Sequence, residues 1–65
     1  MVNSNKIIGL IAERGYTREY VANALGITTN TLRRKLQSGV FDSDEMEKLI
    51  DILSIENPCE IFFAH

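Results

Sequence analysis

The segment from Thr17 to Gly39 reads TREYVANALGITTNTLRRKLQSG and carries the clearest signal of the fold. Its spacing predicts two short helices joined by a tight turn at Gly26, because glycine readily adopts the positive φ that such a turn requires. Ala22, four residues before the turn, is small enough to let the helices approach closely. Apolar contacts are available on both sides of the turn, from Val21, Leu25, Ile27 and Leu32. Together these features predict two helices that cross through a short turn.

The second helix of this pair carries hydrogen-bonding side chains on its outer side, namely Thr29, Asn30, Arg33 and Arg34. Arginine pairs bidentately with guanine and asparagine with adenine, and each pair contributes about 1–3 kcal/mol of discrimination between bases. A charge cluster such as Arg33-Arg34-Lys35 is by itself more often an ordinary solvated face. Joined to the turn, it predicts a helix that enters the major groove of DNA.

Three further helices are predicted around this pair. Their starts are marked by capping residues and, in the last, by a proline at the first helical position: Asn3 or Ser4, Asp42, and Asn57-Pro58. The first helix should run to about Arg14, and Glu45 is placed to complete a capping box at the fourth. No window alternates with period two. The chain is therefore predicted to be all-α, with five helices.

Apolar residues at helical spacing predict the core. Beside the residues named above they are Ile7, Ile8, Leu10, Ile11, Leu36, Met46, Leu49, Ile50 and Leu53. Val40 and Phe41 are expected to form a buried link between the third and fourth helices.

Composition is consistent with one small domain spanning residues 1–65. Apolar residues make up 45% of the chain, which is typical of a globular protein. No apolar run approaches the roughly 20 residues needed to span a bilayer, and no secretion signal is visible. Cys59 is the single cysteine, so no internal disulfide can form, and a cytoplasmic location is expected.

Charge is unevenly distributed along the chain. The net charge of −2 argues against a nucleic-acid-binding protein. However, residues 1–40 hold six basic and two acidic side chains, a balance of +4, whereas residues 41–65 hold one basic and seven acidic ones, a balance of −6. A basic face can therefore meet phosphates while an acidic one points away.

The residues of the central pair also carry a family resemblance. The pattern AxxxGI over residues 22–27, followed by T-x-x-TL-x-R over residues 28–34, resembles the helix-turn-helix of the lambda-repressor-like (XRE-type) family, which includes the phage Cro and CI repressors. The resemblance implies a compact five-helix domain with the helix-turn-helix at helices two and three. It also implies a Cro-like phage or prophage regulator that represses transcription as a homodimer on an operator.

Site residues follow from the same resemblance. Thr29, Asn30 and Arg34 would match base-reading positions of the third helix, and Arg33 flanks them. Phosphate contacts are expected from Arg18 at the start of the second helix, and from Thr28, Lys6 and Asn5. Family members often have a branched apolar residue where this chain has Lys35, which leaves open whether Arg33 or Arg34 faces the bases.

Two adjacent aromatic residues, Phe62 and Phe63, cannot both face one small core, because neighbouring helix positions point about 100° apart. They are predicted to form a dimer patch. One cysteine and one histidine do not make a zinc site, and no catalytic group can be assembled, so we expect no metal, no cofactor, no small-molecule substrate and no enzyme activity. The competing hypothesis is a protein-interaction module, such as an antitoxin or antirepressor, that uses the same fold.

Overall fold

The computed structural model describes residues 2–62, and within that range it contains five α-helices and no strand. The helices are α1 (Ser4–Glu13), α2 (Arg18–Leu25), α3 (Thr29–Ser38), α4 (Ser43–Leu53) and α5 (Pro58–Phe62). The radius of gyration is 10.5 Å, close to the value of about 11 Å expected for a compact chain of this length. The prediction of a small, compact all-α fold is confirmed for these residues.

Side chains cap the helices as the sequence predicts. The hydroxyl of Thr17 accepts a hydrogen bond from the backbone N–H of Tyr20 at 3.1 Å, which caps α2. At α4 the capping box is complete: Asp42 Oδ1 accepts from the N–H of Glu45 at 2.8 Å, and Glu45 Oε1 accepts from the N–H of Asp42 at 3.0 Å. Asn3, rather than Ser4, caps α1. These bonds satisfy N–H groups that the first turn of a helix leaves without partners.

The core forms where α2 packs against α3 and α4, and α1 packs against α5. Its buried apolar residues are Val2, Ile7, Ile11, Val21, Ala22, Leu25, Leu32, Leu36, Phe41, Leu49, Leu53 and Ile61. Met46 and Ile50 pack against this core half-buried. The expectation of a buried Val40–Phe41 link is wrong for one residue: Phe41 is buried, but Val40 is 67% exposed. The segment between α3 and α4 is not helical, and successive side chains of such a segment point in different directions.

Contacts between distant segments hold α1 in place. The guanidinium Nε of Arg14 donates to the backbone oxygen of Leu53 at 3.0 Å, which satisfies one carbonyl at the end of α4. The N–H of Val2 donates to the oxygen of Gly39 at 3.1 Å, so the segment before α1 is tied to the end of α3. Among residues 2–62, no helix has the length and the apolar character that crossing a membrane would require.

Candidate nucleic-acid interface

A three-residue turn separates α2 from α3. Gly26 closes α2 with φ +75°, and its N–H donates to the oxygen of Asn23 at 3.0 Å. The next N–H, of Ile27, reaches back to the oxygen of Ala22 at 3.0 Å. This pair of bonds is the Schellman arrangement, which ends a helix and redirects the chain. Thr28 then caps α3, its hydroxyl accepting from the N–H of Thr31 at 3.1 Å. The two helices are therefore separate elements, each ended or begun by its own cap.

One side of α3 faces the core and the opposite side faces solvent. Leu32 and Leu36 are buried, while Arg34, two residues from each, is exposed. Two residues correspond to about 200° of rotation, so the side chain of Arg34 points away from the core. Asn30 and Gln37 lie four residues before and three residues after Arg34, and both are exposed. These three side chains form the outward face of α3, which is the name used below for Asn30, Arg34 and Gln37.

Arg33 lies on the flank of α3 rather than at the centre of its outward face. It lines a shallow groove together with Asn5 and Arg18, so it is turned toward the starts of α1 and α2. Its Nη2 donates to Oδ1 of Asn30 at 2.8 Å. Arg34 lines a separate depression, on the side of Lys35 and Ser38. The side chains of the two adjacent arginines thus lie on different sides of the helix.

Three arginines around α3 have no acidic partner in the part of the chain that the structure describes. Within residues 2–62, ion pairs engage Lys6, Arg14 and Lys35, but not Arg18, Arg33 or Arg34. No acidic residue of the described range lines either the groove or the depression beside α3. The positive charge of the first forty residues therefore remains available mainly on this side of the molecule.

The structure brings some of the predicted phosphate contacts together and separates others. Asn5 and Arg18 share the groove with Arg33. Lys6 lies elsewhere: its Nζ is 3.4 Å from Oε2 of Glu60, and it lines a different groove between α1 and α5. Thr28 is exposed, and its hydroxyl accepts the hydrogen bond that caps α3.

The remaining predicted contacts differ in position. Thr29 is exposed at the first position of α3, yet it lies three residues before Leu32 and so shares the side of that buried residue rather than the outward face. Of the predicted dimer patch, Phe63 lies outside the described residues. For Phe62 the structure describes the helical backbone alone.

Two features beside α3 were absent from the sequence-based prediction. Gln37 belongs to the outward face, and its spacing of three from Arg34 is the signal that could have identified it. Lys35, in the position where an apolar residue is expected, extends its Nζ to within 2.9 Å of Oε1 of Glu45 on α4. The side chain of Glu45 is only 9% exposed. Nothing local in the sequence identifies these two residues as partners.

The side chains of this surface are of the types that can hydrogen-bond to base edges and pair with phosphates. Within residues 2–62, His, Cys, Asp and Glu side chains do not gather in groups of three or more that could hold a metal ion. No protein-family model, curated protein or solved structure matches the chain significantly.

Proposed function

We propose that this protein is a sequence-specific transcriptional regulator that binds double-stranded DNA through a helix-turn-helix of the lambda-repressor-like type, formed by α2 and α3. The observation that supports this proposal best is the surface of α3. Asn30 and Arg34 project outward on one face, and the nearby Arg18, Arg33 and Arg34 have no acidic partner within residues 2–62. A helix with such a face fits the major groove, where these side chains can bind base edges.

Phosphate contacts on the flank of α3 position the reading helix. Arg18 stands at the first position of α2, where the N-terminal end of a helix also favours an anion. Asn5 and Arg33 line the same groove and can bind the same stretch of DNA backbone. Contacts of this kind hold the register and orientation of the protein but carry little base preference.

A single small domain that makes few phosphate contacts binds DNA weakly at physiological salt. Binding as a two-fold dimer to a near-palindromic operator doubles the contacts and sets the distance between half-sites at about 34–36 Å. Phe62 and Phe63 are the proposed dimer patch. Occupancy of such an operator would repress transcription by blocking access to the promoter.

The test is selection of bound DNA from a random pool by the full chain, followed by titration of the selected site at several salt concentrations. We expect one enriched sequence with two-fold symmetry. We also expect log K to fall linearly with log salt, with a slope of about −0.9 for each phosphate contacted.

A protein-interaction module is the alternative outcome of this experiment. Such a module would enrich no sequence, and its capture of a protein partner through apolar contacts would change little with salt. Absence of an enriched sequence at low salt, from protein shown to be folded by circular dichroism, would overturn the DNA-binding proposal.

A further inference from the structure

The outward face of α3 extends one turn beyond the residues that the proposed reading helix needs. Gln37 is exposed at the ninth of the ten positions of α3, three residues after Arg34. It lines the depression beside Arg34 and also the groove that holds Arg33 and Arg18. Its amide thus lies between the two arginine-bearing sides of the helix, and within residues 2–62 it makes no hydrogen bond.

Glutamine at this place has a specific chemistry. A carboxamide offers one acceptor and two donors, and it can bind the N6 and N7 positions of adenine at the same time. A lysine or arginine in the same position could form an ion pair with any phosphate of the DNA. An uncharged amide gains less binding free energy than a cation does from contact with a phosphate. It is therefore better suited to select a base.

Spacing along the helix allows this contact. Asn30 and Gln37 are seven residues apart, with Arg34 between them, and seven steps of 1.5 Å along the helix make about 10.5 Å. That distance corresponds to about three base-pair steps of 3.4 Å. In the homeodomain, a variant of the helix-turn-helix, the helix that reads the major groove presents base-contacting side chains whose positions lie up to seven residues apart.

On the basis of the proposed function, we propose that Gln37 is a further base-reading residue of α3, and that its amide selects adenine beyond the base read by Arg34. The half-site then contains an adenine opposite Asn30, a guanine opposite Arg34 and an adenine opposite Gln37, within about four consecutive base pairs.

The experiment compares DNA selection from a random pool by the wild-type chain and by Gln37→Ala and Gln37→Glu. Both substitutions fall on an exposed helix position, so the fold should be retained, which circular dichroism checks. Asn23→Ala is the matched control, because it removes an exposed carboxamide from α2. Competition among the four base variants of the selected site then measures the preference at each position.

We expect the wild-type protein and Asn23→Ala to prefer adenine at one outer position by about tenfold. In Gln37→Ala this preference should fall to about twofold or less. The base preferences at the other positions of the DNA site should not change. Gln37→Glu should shift the preference to cytosine, because a carboxylate accepts from cytosine N4 but donates nothing.

The outcomes separate the two proposals. If the wild-type chain enriches no sequence, the DNA-binding function itself is refuted, and the role of Gln37 with it. If the wild type enriches a site, and both Gln37 variants bind that site with unchanged preferences at every position, the reading role is overturned and the proposed function stands.

Discussion

Nζ of Lys35 lies 2.9 Å from Oε1 of Glu45, and this ion pair joins α3 to the first turn of α4. The same carboxylate oxygen accepts the backbone N–H of Asp42 at 3.0 Å, so one buried atom serves both the capping box and the contact between helices. The pair therefore couples the start of α4 to the helix that carries Arg33 and Arg34.

Glu45→Ala should destabilise the protein, because it removes the capping contact and leaves Lys35 unpaired in a half-buried position. We expect a loss of about 1–3 kcal/mol in the free energy of unfolding, measured by urea titration. Glu47→Ala, at an exposed position of the same helix, is the control and should change stability by less than about 0.5 kcal/mol. Equal effects of the two substitutions would contradict a structural role for the pair.

Gly26→Ala should destabilise the turn by about 1–2 kcal/mol, since a residue with a Cβ disfavours φ +75°. Among residues 2–62, no atom other than those of the glycine and its two chain neighbours lies within 4 Å of the added Cβ, so this cost comes from the backbone conformation and not from a clash. Gly9→Ala is the matched control: it lies within α1, also in open space, and should raise stability by about 0.5–1 kcal/mol. Thermal unfolding followed by circular dichroism measures the stability changes of both variants. A neutral or stabilising Gly26→Ala would show that the turn tolerates other conformations.

Arg34→Ala should flatten the preference among operator variants, with a loss of about 1–3 kcal/mol on the best site and little change on unrelated DNA. Arg33→Ala removes the same charge from the adjacent position, which faces the groove shared with Arg18. We expect it to weaken binding to all sequences alike. Binding titrations of both variants on matched and mismatched DNA sites distinguish loss of base preference from a uniform loss of affinity. A reversal of these patterns would assign the base contact to Arg33.

Arg18→Ala should weaken binding to every sequence and reduce the salt slope by about 0.9, because one phosphate contact is lost. Lys6→Ala also removes one positive charge, but Lys6 lies 3.4 Å from Glu60 on the side of α1 that faces α5. We expect its effect on the salt slope to be smaller. Salt titrations of both variants provide the measurement, and an equal reduction by Lys6→Ala would restore Lys6 as a phosphate contact.

Phe63→Ser should shift the balance between monomer and dimer toward monomer if the adjacent phenylalanines form the dimer patch. Sedimentation equilibrium measures this shift. Val40→Ser is the control, since Val40 is an apolar residue that is 67% exposed between α3 and α4. Dissociation caused by Val40→Ser but not by Phe63→Ser would place the dimer contact at the other surface.

Most of the local structure could be predicted from the sequence, because it depends on residues within one helical turn of each other. The caps at Thr17, Thr28 and Asp42 and the positive φ of Gly26 are examples of such short-range chemistry. The burial of Leu32 and Leu36 also follows from their spacing of four residues. The candidate surface on α3 could be located for the same reason, although Gln37 was overlooked.

Packing between distant segments sets which charges meet. Lys6 and Glu60 are 54 residues apart, and the pairing of Lys35 with Glu45 depends on how α3 packs against α4. Local rules carry no information about such distances, so they cannot show that Arg18, Arg33 and Arg34 have no acidic partner within residues 2–62 while Lys6 and Lys35 do. Short-range chemistry therefore fixes the helices and their turn, whereas the packing of the helices fixes which of their charged side chains remain available to a partner.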